Sequence, residues 1–230
     1  MTFSILAHDE KTGTFGAAAA TGSLCVGGWV LRGSLEGGLV ASQGTAPSTL
    51  WRDQVIARMA QGQPAENAVN LAVSPDPGRA HRQIIALDRT GSTGGFTGAE
   101  SVPWAGHQHA PGLACAGNML AGLPVLDALA HAFGAGSGAM ADRLIAALTG
   151  AHHAGGDSRG LQSAALLVLT PDAPPLDLRI DAHDDPLTAL QTLLTRARTG
   201  PYADWLGEVP VATDPTRAPR TLEQSSRVSP

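Results

Sequence analysis

The sequence predicts an α+β fold in which antiparallel sheets carry layers of helices on their outer faces. Three observations predict it. Strands come in hairpin pairs, and helices come in pairs between groups of strands, an order that does not suit a doubly wound parallel sheet. Aromatic residues make up only 4% of the chain, while glycine (28 residues) and alanine are abundant, so the layers must pack closely through small side chains.

Each predicted strand is a short run of apolar or small residues bounded by turn residues. The strands are, in chain order, 2–8, 14–21, 38–43, 83–88, 91–98, 161–170 and 176–181. The first two form a hairpin, and the fourth and fifth form another that turns at residues 89–90. The run 161–170 is the longest apolar one, and we expect it to be buried on both faces.

Each predicted helix has apolar residues on one face and a polar or glycine-containing turn at its end. The helices are 49–60, 64–72, 122–134, 139–149 and 186–198. Pro64 suits the start of the second helix. Beyond residue 198 the chain becomes polar and proline-rich. We therefore predict a single domain over 1–198 and an extended or loosely ordered tail over 199–230.

The charge and cysteine content of the chain exclude some functions. The formal net charge is −5 and no basic cluster occurs, which argues against partners such as nucleic acid or an anionic membrane. There is no run of about 20 apolar residues and no secretory signal pattern. The two cysteines, Cys25 and Cys115, fit buried, reduced thiols, and we expect a cytoplasmic protein.

The first candidate for catalysis stands at the start of the chain. If Met1 is removed, Thr2 carries a hydroxyl nucleophile and a free α-amine on one residue. Such an amine has an unperturbed pKa of about 7.7–8.0, so it is partly neutral near pH 7–8 and can act as a general base. The alternative is that a threonine simply suits the start of a strand. If the first hairpin forms, Thr21 and Ser23 end its second strand beside Thr2.

A polar cluster at residues 155–163 is the second candidate. Asp157, Arg159, Gln162 and Ser163 supply a carboxylate, a guanidinium, an amide and a hydroxyl. An aspartate and an arginine so close together can orient a reacting amine or hold a substrate carboxylate. The alternative is a turn in which Asp157 and Arg159 satisfy backbone groups.

Asn118 precedes a predicted helix, so it either caps that helix or donates its amide to an oxyanion. Four of the eight histidines form the pairs 107/109 and 152/153. Neither pair has a recognised zinc spacing, and we expect no metal and no cofactor. No Gly-x-Ser-x-Gly elbow, phosphate-binding loop or dinucleotide fingerprint is present. A Ser–His–Asp hydrolase stays open, although its nucleophile cannot be chosen from the sequence.

Taken together, these residues resemble the DUF1028 family, bacterial and archaeal proteins placed among the N-terminal-nucleophile (Ntn) hydrolases. The similarity runs from Thr2 to about Leu190. The segments that carry it are 2–5, 82–83, 104–107, 117–122 and 155–165. The last of these, which contains the polar cluster, is the longest and the most specific.

The resemblance implies a four-layer αββα sandwich with two central antiparallel sheets, and hydrolysis of an amide or related acyl bond without a metal or cofactor. It implies that Thr2 is the nucleophile, and it adds weight to Asn118 and to the polar cluster. The predicted catalytic residues are Thr2, Asp157 and Asn118. The predicted substrate-binding residues are Arg159, Gln162, Ser163, Thr21 and Ser23.

Two functional hypotheses follow. The first is an amidohydrolase that acts on a small molecule or short peptide. The second is a non-catalytic protein of the same fold that binds a ligand or assembles with itself. In either case we expect a homodimer, because only 15% of residues are charged, against about 25% in ordinary domains. Neutral surface is easier to desolvate, and a closed two-fold pair is the commonest assembly.

Overall fold

The computed structural model describes residues 2–156 and 160–219, and in that part of the chain ten strands form two antiparallel sheets. The strands are β1 (Thr2–Asp9), β2 (Thr14–Thr21), β3 (Leu31–Ser34), β4 (Gly38–Gly44), β5 (Arg82–Leu87), β6 (Thr93–Thr97), β7 (Gly106–Ala110), β8 (Leu113–Asn118), β9 (Ser163–Thr170) and β10 (Ala173–Ile180). The larger sheet has the order β10-β9-β2-β1-β8-β7, and the smaller has the order β3-β4-β5-β6. β1 is therefore a central strand of the larger sheet, between β2 and β8.

The described residues form seven α-helices, which are α1 (Val26–Trp29), α2 (Thr49–Ala60), α3 (Ala65–Val73), α4 (Pro124–Ala135), α5 (Met140–His153), α6 (Pro186–Ala197) and α7 (Gly200–Leu206). Helices α4, α5 and α6 cover the outer face of the larger sheet, and α2 and α3 cover that of the smaller sheet. Helix α1 instead contributes Val26 to the core between the two sheets. Two helices begin with side-chain caps. The Ser48 hydroxyl accepts a hydrogen bond from the Trp51 backbone N–H at the start of α2, and the Asp185 carboxylate accepts one from Thr188 at the start of α6.

Three apolar cores separate four layers in the order helix, sheet, sheet, helix. One core lies between the larger sheet and α4, α5 and α6, one lies between the two sheets, and one lies between the smaller sheet and α2 and α3. Strand β1 contributes to two of them, because alternate side chains face opposite sides. Phe3 and Ile5 pack under the helices, whereas Leu6 packs between the sheets. The predicted α+β sandwich with two antiparallel sheets is confirmed.

The layers approach closely where glycine leaves room for them. Gly94 of β6 lies directly beneath α3. A Cβ atom at Gly94 would come within 2.6 Å of both the Cα and the backbone nitrogen of Glu66. The helix backbone can rest on this strand only because the strand has no side chain there.

Several elements differ from the predicted ones. Asn118 is the last residue of β8, and α4 begins only at Pro124 with Leu123 in the cap position, so Asn118 does not cap this helix. The sequence did not predict the strands β3, β7 and β8 or the short helix α1. Cys25 is half-buried rather than buried, whereas Cys115 is buried as expected, and both are free thiols. Burial raises the pKa of the Cys115 thiol to about 12, which keeps it protonated.

The described part of the C-terminal segment also differs from an extended tail. Helix α7 occupies its beginning. Further on, the backbone N–H of Thr213 donates to the carbonyl of Pro171, at the turn between β9 and β10, over 3.0 Å. Val211 is buried. The chain beyond α6 therefore returns to the sandwich and packs against it.

Among the described residues, none of the helices combines the length and the apolar character needed to cross a membrane.

Candidate active site

Four of the predicted site residues form one row across the larger sheet. In the register of adjacent strands, Ser163 of β9 lies opposite Thr21 of β2, Thr21 lies opposite Thr2 of β1, and Thr2 lies opposite Asn118 of β8. Directly opposed residues of antiparallel strands point to the same face of the sheet. The four side chains are therefore neighbours, although up to 161 positions separate them in sequence.

This row faces the space between the two sheets. Leu6, which shares the parity of Thr2 along β1, belongs to the core between the sheets. That core is apolar at its centre and becomes polar at the end where β1 begins. There the smaller sheet contributes Gln43 from β4 and Gln83 from β5, both buried.

Thr2 is half-buried and is held at two points. Its Oγ1 shares a hydrogen bond of 3.1 Å with Oγ1 of Thr21. Its carbonyl oxygen accepts a hydrogen bond of 3.2 Å from Nε2 of Gln43. These two hydrogen bonds hold both the side chain and the backbone of Thr2 in place.

The two glutamines join the sheets through a buried network. Gln43 accepts a hydrogen bond from Oγ of Ser4 (2.8 Å) and donates one to Oε1 of Gln83 (2.8 Å). Nε2 of Gln83 lies 2.8 Å from Oγ1 of Thr97, 2.9 Å from the carbonyl oxygen of Gly106 and 3.0 Å from that of Gly117. Buried amides with satisfied partners make a rigid local structure.

His107 ends this network. Its Nδ1 lies 2.8 Å from Oγ1 of Thr97. Burial lowers the pKa of His107, and repulsion from His109 lowers it further. Burial also lowers the pKa of His109, against an opposing effect of Glu66. Lower pKa values favour the neutral form of both imidazoles. The Nδ1 atom of His107 then either donates the hydrogen bond to Oγ1 of Thr97 or accepts it, depending on which ring nitrogen carries the proton.

Asn118 is the one member of the row with an unused polar atom. Its side chain is only 2% exposed. Its Oδ1 has no hydrogen-bond partner among the residues that the structure describes. Leaving such an atom unpaired costs about 1–3 kcal/mol. An unpaired amide oxygen directly opposite Thr2 suits a site at which another group binds.

Ser163, Ser23 and Gln162 have different environments. The Ser163 hydroxyl is buried, donates to the carbonyl of Ser23 (2.7 Å) and accepts from the backbone N–H of Val26 (3.1 Å). It fixes the chain that leads into α1. The side chain of Ser23 is exposed and lines the cleft at Thr2. Gln162 is exposed, and its backbone N–H donates to the carbonyl of Thr21 over 2.9 Å.

Asp157 and Arg159 lie outside the described residues. The chain that follows them is tied to the row, because Gln162 is bonded to Thr21 and the next residue, Ser163, is a member of it.

A cleft of about 410 Å³ opens at Thr2. Its polar wall consists of Thr2, Thr21, Ser23, Gln43 and Thr45. Most of its other lining residues come from the segment 24–30, which includes α1. Clefts of this size hold small organic molecules, so the first residue of β1 lies against space that a substrate can fill.

The sequence did not predict Gln43 or Gln83 as site residues, although Gln83 lies in one of the segments that carry the family resemblance. A signal for them exists: each is a polar residue at an inward position of an otherwise apolar strand, after Leu39 and Ala41 in β4 and before Ile85 in β5. In the part of the chain that the structure describes, no three His, Cys, Asp or Glu side chains lie close enough together to hold a metal ion.

The two antiparallel sheets lie between layers of helices, so the protein is an αββα sandwich. Its candidate site lies at the end of the sheets, where Thr2 begins a central strand beside an open cleft. The chain belongs to the DUF1028 family, described as a family of unknown function, whose model matches residues 2–190. Among solved structures it is similar to protein SPO2555 from Silicibacter pomeroyi, described by the same family model. The two are 50% identical over 95% of this chain and 99% of that chain, with a TM-score of 0.91. No curated protein matches this chain significantly.

Proposed function

We propose that this protein is an N-terminal-nucleophile amidohydrolase that cleaves an amide or related acyl bond in a small molecule or short peptide. Thr2 is the nucleophile, after removal of Met1. One observation carries the proposal: Thr2 begins a central strand and forms part of the wall of the cleft, where its hydroxyl is hydrogen-bonded to Thr21. The proposal places the reaction in the cytoplasm, where thiols such as Cys25 stay reduced.

The reaction needs only the groups of Thr2 and water. The hydroxyl oxygen attacks the substrate carbonyl carbon while the neutral α-amine of the same residue takes the hydroxyl proton. The C–N bond then breaks, the proton passes to the leaving amine, and the acyl group remains on Thr2 as an ester. Water, deprotonated by the same α-amine, hydrolyses the ester and restores the hydroxyl.

Asn118 suits a supporting role in this reaction. It lies opposite Thr2 in the register and has a buried, unpaired amide oxygen. A side-chain amide can accept a hydrogen bond from the α-amine or, turned over, donate one to the oxyanion of the intermediate. We assign Asp157 to orienting the α-amine and Arg159 to holding the substrate, as the sequence predicts.

The test uses protein shown by intact mass to begin at Thr2, with acyl amides of 7-amino-4-methylcoumarin as probes. We expect the amides to be hydrolysed and Thr2→Ala to abolish hydrolysis without loss of fold. Thr14→Ala, at the opposite end of the first hairpin, is the matched control and should keep the activity. Full activity in Thr2→Ala, or in protein that retains Met1, would reject the mechanism. Absence of any hydrolysis would favour the non-catalytic hypothesis.

A further inference from the structure

We propose that the cleft at Thr2 is an acyl pocket for an uncharged, apolar acyl group, such as a medium-length aliphatic chain. This inference rests on the proposed function, because it names the part of the substrate that remains on the nucleophile. It concerns the apolar residues that line the cleft, which take no part in the proposed reaction.

The cleft at Thr2 also has an apolar wall, which consists of Leu24, Val26, Trp29, Val30 and Pro47. Leu24 is 55% exposed and Trp29 is 54% exposed. Two large apolar side chains held in water beside a candidate nucleophile lose unfavourable hydration when an apolar group covers them.

The described residues that line the cleft include no charged side chain. The nearby Arg52 is buried and turned away, with Nη1 donating to the carbonyls of Gly28 (2.7 Å) and Trp29 (3.1 Å). A charged acyl group would therefore lose its hydration without gaining a partner from this wall, and that loss opposes binding.

The apolar wall is preformed rather than loose. Arg52 holds the carbonyl end of α1, Ser163 holds the backbone N–H of Val26, and the carbonyl of Asp181 accepts a hydrogen bond from Cys25 (3.0 Å). Because these bonds fix the backbone that carries Trp29, little conformational entropy is lost when a ligand packs on the indole.

The two walls together orient a substrate. Thr2 and Gln43 give the cleft its polar lining, and Trp29 and Leu24 give it exposed apolar surface. An acyl group fits with its carbonyl carbon at Thr2 and its chain along the indole and leucine side chains. The leaving amine then lies toward the open end of the sheets.

The experiment compares hexanoyl, adipoyl and acetyl amides of 7-amino-4-methylcoumarin. Hexanoyl and adipoyl have the same number of carbons, but adipoyl ends in a carboxylate. We expect kcat/KM for the hexanoyl probe to exceed those of the other two by about tenfold or more. Trp29→Ala should lower the hexanoyl-to-acetyl ratio about tenfold. Trp205→Ala, which removes a comparably exposed tryptophan of α7, should leave the ratio unchanged.

A binding measurement separates this inference from the proposed function. Hexanamide and adipamate are titrated calorimetrically into Thr2→Ala and into Thr2→Ala/Trp29→Ala, neither of which can turn over a substrate at Thr2. If Thr2→Ala binds hexanamide but not adipamate, and if Thr2→Ala/Trp29→Ala no longer binds hexanamide, the acyl pocket is supported even when no probe is hydrolysed. Hydrolysis with a preference for adipoyl or acetyl overturns the acyl pocket and leaves the proposed function standing. Absence of both hydrolysis and binding overturns both.

Discussion

Gln43 links the backbone of Thr2 to the interior of the protein. Its amide donates to the Thr2 carbonyl and to Gln83, and it accepts from the Ser4 hydroxyl. Thr2 and Ser4 are on β1 of the larger sheet, whereas Gln83 is on β5 of the smaller sheet. A single side chain therefore fixes the start of β1 against the smaller sheet, and the position of the candidate nucleophile depends on it.

We predict that Gln43→Leu destabilises the protein by about 2–3 kcal/mol, because it leaves buried polar groups at Ser4 and Gln83 without a partner. Chemical denaturation measures the free energy of unfolding. Gln191→Leu, on the exposed face of α6, is the matched control and should change it by less than about 0.5 kcal/mol. Equal effects of the two substitutions would show that the network does not hold the strand.

At this scale the sequence predicts part of the candidate site. Four site residues come together because each is the first or the last residue of its strand, at the same end of the larger sheet. They are Thr2, Thr21, Asn118 and Ser163. The link through Gln43 and Gln83 could not be foreseen, since it depends on how two sheets face each other rather than on any local pattern. The capping alternative for Asn118 was wrong because the hairpin of β7 and β8 was not recognised.

At the scale of elements, the close approach of α3 to β6 depends on one glycine. The backbone of the helix lies where a side chain at Gly94 would be. Unlike the end of a long side chain, a helix backbone cannot move aside without disturbing its own hydrogen bonds and the apolar core beneath α3.

We expect Gly94→Ala to destabilise the protein by about 1–3 kcal/mol, the usual cost of overpacking. The contrasting substitution is Gly134→Ala in α4, where nothing lies within 4 Å of the added atom. There the methyl group should stabilise by about 0.5–1 kcal/mol, because alanine is the better helix former. Thermal and chemical unfolding of the two variants should shift in opposite directions, and a stabilising effect of Gly94→Ala would contradict the packing described.

The elements that the sequence predicts well are those with strong periodicity or clear turn residues. Helix α2 and strand β2 have the predicted extents, and β1 is one residue longer than predicted. The strands β3 and β7 have few apolar residues and are only four and five residues long. They form because neighbouring strands offer backbone partners, and a local pattern does not contain that information.

At the scale of the whole molecule, α7 presents two aromatic side chains to solvent. Tyr202 is 49% exposed and Trp205 is 53% exposed, and their ring centroids are 5.8 Å apart. We propose that this pair forms part of a homodimer interface. Aromatic residues are enriched at the cores of such interfaces, and the low charge of the chain makes its surface easier to desolvate.

We therefore expect light scattering at about 50 μM to give twice the mass of one chain, and the double substitution Tyr202→Ser/Trp205→Ser to give a monomer. Leu71→Ser, which changes an exposed apolar residue of α3, should leave the dimer intact. A monomer before any substitution would refute self-association. A dimer that persists in the double variant would mean that α7 does not hold it.

The order of the strands along the chain has a consequence for maturation. Thr2 is synthesised before its neighbours Asn118 and Ser163, which follow it by 116 and 161 positions. Until they join the larger sheet, the start of β1 has only β2 beside it. Once the sheet is complete, Thr2 is half-buried and its hydroxyl is hydrogen-bonded to Thr21. The proposed function requires the removal of Met1, and we expect an aminopeptidase to remove it more readily before the sheet is complete than afterwards.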